Sequence, residues 1–169
     1  MINLINGRGQ IGECLQQYVK LKEYENVDID IYHTWIFTSK EEDIQKEEYE
    51  KLKRYVKNNT NKPFIFVSTS VVNYNFYYHY KLLSETYILN NTHNGYIIRL
   101  PNLIGKGICT RFKNERVDPF GTIELLTIEE ATKQIIESIS NFNINNRVEN
   151  VLGTKIPATI VYKLLNFGD

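Results

Sequence analysis

Ile2-Asn-Leu-Ile-Asn-Gly7-Arg-Gly9-Gln-Ile-Gly12 is the stretch that decides the fold. A short apolar strand, Ile2 to Asn6, runs into three closely spaced glycines. A helix follows from Gln10 to Lys20, with Ile11, Leu15 and Val19 on one face. Strand, glycine turn and helix in that order are the context in which such a turn holds the pyrophosphate of a dinucleotide. Gly7 permits the tight turn, Gly9 lets backbone approach a phosphate, and Gly12 lets the helix pack close to the strand. The N–H groups of the first helical turn, from Gln10 and Ile11 onward, point at the anion, and Arg8 adds a cation beside it. The alternative is a turn whose glycines serve only the backbone.

Beyond Gly12 the pattern keeps alternating. Val27 to Phe37 contains a strand rich in Ile, Tyr and Trp. Ser39 and Glu42 predict a capping box for a helix reaching about Asn58, with Ile44, Leu52, Tyr55 and Val56 facing inward. Phe64 to Ser68 is a continuous apolar strand of the kind found inside a parallel sheet. Helix is expected over Tyr77 to Leu89, and strand over Tyr96 to Leu100. Thr127 and Glu130 form a second capping box for a helix reaching about Asn141. A strand at Arg147 to Leu152 and a helix from Pro157 to Leu165, with proline in its first turn, complete the chain. Links too long for hairpins argue for a mostly parallel sheet of about five strands with helices on both faces, an abbreviated Rossmann-like α/β fold. One domain spans 1–169, with a minimal substrate region near 105–126 and 153–169.

Composition limits the function. Twenty Lys and Arg balance twenty Asp and Glu, so no global field draws nucleic acid or an anionic membrane, and a ligand must be held by local geometry. The two cysteines, Cys14 and Cys109, form no CxxC, and His33, His79 and His93 share no metal-ligand spacing. The expectation is free thiols, no metal, no membrane span and a cytoplasmic setting. The opening residues read as strand and turn rather than as a signal peptide.

Tyr77-Tyr-His-Tyr-Lys81 places a phenol and an ammonium one helical turn apart on the same face. A desolvated lysine beside a tyrosine favours phenolate, which suits general acid–base work at a carbonyl or alcohol. Ser68-Thr69-Ser70 ends the preceding strand at the edge where open α/β sheets bind ligands. In a Tyr-rich chain a tyrosine often falls four residues before a lysine by chance, and it is the preceding S-T-S that gives the pair weight. Asp30 lies 18 residues beyond Gly12, near where an acid binds a ribose 2′-OH. Asp28 competes for that role, and with no acid there NADP stays open. Trp35 is read as a core or interface residue rather than a base stacker. Glu129 and Glu130 are read as a capped first turn, and Lys40 to Lys53 as a solvated helix face.

Taken in order, these segments resemble the extended short-chain dehydrogenase/reductases, the family of nucleotide-sugar epimerases, dehydratases and reductases. N-G-R-G-Q-I-G resembles the cofactor turn of that family, and F-I-F-V-S-T-S its strand with the catalytic Ser/Thr. Tyr77 and Lys81 fall on its catalytic pair, and Arg99-Leu-Pro-Asn-Leu-Ile-Gly105 on its next strand and loop. The resemblance implies NAD or NADP as cofactor and a nucleotide sugar as substrate. Tyr77 would be the acid–base, Lys81 its activator and ribose ligand, and Thr69 the orienting hydroxyl. Pro101 would lie near the nicotinamide, with Ser70 and Asn102 near the substrate. It also implies a homodimer formed through the Tyr77–Lys81 helix. The chain departs from the family in having room for one strand, not three, between Gly12 and the helix at 41–58, and in a short substrate lobe. The second reading is therefore a catalytically degenerate relative that binds a nucleotide or a partner.

Overall fold

The computed structural model describes residues 2–5, 9–19, 28–33, 35–36, 39, 41–59, 61–105, 120–140 and 147–165. The elements are β1 (Ile2–Ile5), α1 (Gly9–Val19), β2 (Ile29–Tyr32), α2 (Glu42–Asn58), β3 (Phe64–Thr69), α3 (Phe76–Asn91) and β4 (Gly95–Leu100). They continue with β5 (Asn102–Ile104), β6 (Thr122–Thr127), α4 (Ile128–Ser140), β7 (Val148–Asn150), β8 (Thr154–Pro157) and α5 (Ala158–Leu165). Strands β1-β2-β3-β4-β7 form a parallel five-stranded sheet. A smaller sheet, β5-β6-β8, pairs β5 parallel and β8 antiparallel to β6. Only the buried Pro101 separates the last residue of β4 from the first of β5, so the chain passes from one sheet to the other in a single step.

The strand alternation sorts the core. In β3, Phe64 and Phe66 face α2 and α3, where they pack with Leu52, Val56 and Ile88. Ile65 and Val67 face α1 and α4, where they pack with Leu15, Ile135 and Ile136. Helices therefore cover both faces, as the sequence pattern requires. The steps β1→β2, β2→β3 and β3→β4 all go the same way across the sheet, yet α1 lies on one face and α2 and α3 on the other. Connections that step in the same direction over opposite faces have opposite hands, so one of them departs from the right-handed rule for such crossovers.

Helix ends show where local reading held and where it did not. The Thr127–Glu130 box is formed in both directions. Thr127 Oγ1 accepts from Glu130 N at 3.1 Å, and the Glu130 carboxylate accepts from Thr127 N at 3.1 Å. Lys51 and Glu47 form one of the expected i, i+4 pairs on α2, at 3.1 Å. The Ser39–Glu42 box is not formed. Glu41 is the N-cap of α2, without a side-chain cap bond, and Ser39 Oγ accepts from Glu41 N instead. The cause is Gln45, whose amide donates to Ile36 O at 2.6 Å and Ser39 O at 2.8 Å and so fixes the approach to the helix. Leu52 and Val56 are buried, whereas Ile44 and Tyr55 are half-buried and Gln45 and Glu48 take inner positions. Pro157 does not open α5. It closes β8 opposite Thr122, a place open to proline on a strand at the edge of its sheet.

Asp30 is also placed differently from the expectation. It is the second residue of β2 and buried, and its carboxylate pairs with Lys62 at 2.6 Å while accepting from Tyr55 Oη at 2.6 Å and Asn3 Nδ2 at 3.0 Å. Burial pushes the carboxyl up, but the bonds from Lys62, Tyr55 and Asn3 outweigh it and hold the pKa below the ordinary value. With those partners it ties the start of β2 to β1, to α2 and to the turn before β3, and it is not offered to a ribose. Asp30→Asn is expected to lower stability by about 2–3 kcal/mol at pH 7, measured by urea unfolding. Because the folded-state pKa is depressed, the wild-type advantage should be full above the ordinary carboxylate range and should vanish as pH falls through the folded pKa. An unchanged urea midpoint at pH 7 would refute the assignment.

Candidate functional site

β1 is followed by α1 on one face of the sheet and the neighbouring β2 by α2 on the other, an arrangement that in open α/β sheets parts successive connections at the carboxyl ends of the strands. Gly9 heads α1 with φ +85°, and a Cβ there would meet nothing within 4 Å. A side chain at Gly9 is disfavoured by backbone conformation, since among the described residues nothing crowds the position. Gly12 is buried one turn on, and Ile11 packs on the core beneath α1. The Gln10 side chain lies over Gly105, where a Cβ would come within 2.6 Å of its Oε1. This close approach ties the head of α1 to the end of β5. Gly7 and Arg8 lie outside the described residues. Cys14 is a half-buried free thiol in α1.

Tyr77 and Lys81 lie on α3, whose first turn is fixed by Asn75. The Asn75 Oδ1 accepts from Tyr78 N at 2.9 Å, a cap signalled by an asparagine immediately before the helix. Lys81 is 3% exposed. Its Nζ donates to Val67 O at 2.8 Å and lies 4.4 Å from the Trp35 ring centroid, 4.5 Å from that of Phe66 and 5.9 Å from that of Tyr77. Burial pulls the ammonium down to about 7, although Glu85 and Glu48 favour its charge. Burial also pushes the Tyr77 phenol up to about 12. The structure thus brings the phenol and the ammonium together, in a dry setting that favours the neutral form of both.

Three further features accompany the pair. Trp35, just beyond β2, donates from Nε1 to Gln45 Oε1 at 2.6 Å, which holds the indole against Lys81. Glu85, one turn beyond Lys81 on α3, is buried and receives the Arg99 guanidinium on both oxygens, locking α3 to β4. Ser68 is buried, its Oγ has no hydrogen-bond partner, and it alternates with Val67 onto the same face as Phe66. Sequence reading treated Trp35 as core or interface and passed over Gln45, and it noted Ser68 only as part of Ser68-Thr69-Ser70. The one available signal was a lysine among aromatic positions.

The other expected residues line the neighbouring strand ends. Thr69 closes β3, and its Oγ1 accepts from Val71 N at 3.1 Å. Ser70 N donates to Leu100 O at 2.9 Å. Pro101 is buried, and Asn102 opens β5 with its Nδ2 3.4 Å from Glu124 O. A hollow of about 430 Å³ lined by Leu126, Glu130, Gln134 and Glu149 lies beside α4 and contains none of these side chains. Among the described residues no cluster has the composition of a metal site, and no helix is long and apolar enough to cross a membrane.

No family model and no curated protein matches the sequence. Solved structures do match. A dTDP-4-dehydrorhamnose reductase from Clostridium acetobutylicum aligns with a TM-score of 0.72 at 13% identity, over 97% of this chain and 78% of that one. The dTDP-4-dehydrorhamnose reductase of Bacillus anthracis in complex with NADP gives 0.70 at 12% identity, over 97% and 79%. The Bordetella bronchiseptica enzyme WbmG in complex with NAD and UDP gives 0.64 at 12% identity, over 97% and 76%. The alternating α/β order, the parallel sheet and these alignments agree, and the chain has the Rossmann-like α/β fold of these three enzymes.

Proposed function

We propose that this chain is an NAD(P)-dependent oxidoreductase or epimerase acting on a nucleotide-linked sugar, by keto-sugar reduction, epimerisation or dehydration. The observation that carries the reading is Lys81, a desolvated lysine one helical turn from Tyr77 and hydrogen-bonded to β3 near its carboxyl end. A lysine kept so dry without a carboxylate partner is unusual in a core and suits a group reserved for a ligand. The cytoplasmic setting, and pairing of two chains through α3, belong to the same proposal. Phe76, Leu82 and Leu89, exposed along that helix, support the pairing.

The residues suit a dinucleotide at two points. The open Gly9 cradle and the N–H groups heading α1 match a pyrophosphate, with Gly7 and Arg8 proposed beside them. Lys81 has the donors for ribose hydroxyls. When bound, the nicotinamide ring supplies the hydride acceptor or donor, and Pro101 would lie next to it. Thr69 would orient the substrate oxygen, with Ser70 and Asn102 holding the sugar. Tyr77 would give that oxygen a proton or remove one. Bringing the Tyr77 phenol from about 12 to near 7 requires ~7 kcal/mol. A unit charge about 6 Å away supplies ~3 kcal/mol at an effective dielectric of 20, and Lys81 is only half charged at neutral pH. In the conformation described, Tyr77 is therefore a hydrogen-bond donor, and it becomes a base only when the site is opened to polar groups. The second reading, a degenerate nucleotide- or partner-binding relative, draws its support from Asp30 being held by Lys62 and Tyr55.

Fluorescence titration with NADH and NADPH, followed by nucleotide-sugar-dependent oxidation, tests the proposal. Binding of neither cofactor would leave only the degenerate reading. Tyr77→Phe is expected to reduce turnover by about 10²–10⁴-fold with cofactor affinity within twofold, and full turnover in that variant would end the acid–base assignment. Lys81→Met should abolish turnover yet stabilise the fold by roughly 1–3 kcal/mol at pH 6, because it removes a charge buried without a carboxylate partner. The Lys81 pKa is lowered on folding, so the unfolded chain binds more protons between about pH 7 and 10 and wild-type stability rises with pH there. Melting curves of Lys81→Met should lack that rise. An identical pH slope in both proteins would show that Lys81 is not the buried titrating group.

A further inference from the structure

Nothing in the proposed chemistry uses Trp35, yet it is the group that closes the site. The Lys81 ammonium carries three N–H bonds, and Val67 O receives one. Three aromatic rings lie within cation–π range of the same nitrogen, Tyr77 at 5.9 Å and, closer, Phe66 at 4.5 Å and Trp35 at 4.4 Å; the two nearer ones bear on access. They differ in mobility. Phe66 is fully buried in the middle of β3 and cannot leave without breaking the sheet. Trp35 lies outside any regular element, beyond the carboxyl end of β2. It is held by an edge contact to Phe66 and by its hydrogen bond to Gln45. The indole therefore stands beyond the carboxyl end of β2, directly against the ammonium. On the same face, the buried Ser68 Oγ lacks the hydrogen-bond partner that such a group normally has.

We infer that Trp35 is a displaceable cover, latched by Gln45, that shields Lys81 until it swings away and lets a ligand reach the ammonium. For the identity of that ligand the inference rests on the dinucleotide reading above, but the cover itself does not. Closed, the indole keeps the lysine dry. Open, it would free the N–H direction that now faces the indole. Apparent affinity for any ligand of Lys81 is then the intrinsic affinity scaled by the open fraction.

Acylation of the full chain with acetic anhydride, read lysine by lysine by peptide mass, tests the cover directly. Lys81 should react slowly in the wild type and in Trp35→Phe, which keeps a ring in place, and at least tenfold faster in Trp35→Ala. Equal rates in wild type and Trp35→Ala would overturn the cover. A second measurement needs no variant, since Trp35 is the only tryptophan in the chain. On binding NAD⁺ or NADP⁺, followed independently by calorimetry, its emission should shift to the red and become more open to acrylamide quenching. Calorimetric binding with unmoved emission would overturn the proposal. Faster labelling of Lys81 in Trp35→Ala, with neither protein binding either cofactor, would support the cover and remove the dinucleotide as its ligand.

Discussion

The helix after β1 packs on one face of the sheet and the helix after β2 on the other, and the candidate site depends on this divergence. It places the glycine-headed start of α1 on one side of the sheet and Trp35 on the other. In larger doubly wound sheets the same parting occurs where the strand order reverses. Here the order does not reverse, since β1 stands beside β2 at one end of the row. The parting exists here only because α1 sits on the face opposite α2, which gives neighbouring connections opposite hands. A crossover of the disfavoured hand is tolerated where it keeps two loops apart.

The two buried charges next to this framework are treated in opposite ways. Asp30 is surrounded by an ammonium, a phenol and an amide, all in hydrogen-bonding contact. It belongs to the amino end of the sheet, where its work is structural. Lys81 has a carbonyl and three aromatic rings, and the carboxylate on α3, Glu85, is taken by Arg99. The first arrangement lowers the free energy of the fold, while the second raises it. Stability alone gives no reason to keep an ammonium there, whereas a ligand that must be recognised does.

What could be read from the residues was local. The strand–glycine–helix opening, the Thr127–Glu130 box and the pairing of Tyr77 with Lys81 involve partners within five residues, and their spacing encodes them. The parallel sheet with covered faces followed from F-I-F-V and from links too long for hairpins. What escaped was non-local. The partners of Asp30 lie at positions 3, 55 and 62, and only the register of β1, β2 and β3 brings them together. Trp35 meets Lys81 across 46 residues of sequence and the thickness of a helix–sheet layer. Gln45 displaced the expected cap at Ser39 because a side chain one turn into a helix can reach back to two carbonyls, which no spacing rule announces. The second sheet and the role of Pro157 in it were likewise hidden, since β8 exists only through its pairing with β6.

The passage through Pro101 sets where this fold can change in size. Leu100 and Asn102 belong to different sheets, and each is in register, Leu100 with Thr69 and Asn102 with Leu125. An added residue between them would slip one sheet past the other. β5 and β6, by contrast, are joined by no such single step: they run parallel, so the connection between them must return along the pair and its length is not set by their register. The joint between the two sheets is thus fixed by a single proline, and a change of chain length is better accommodated between β5 and β6 than between β4 and β5.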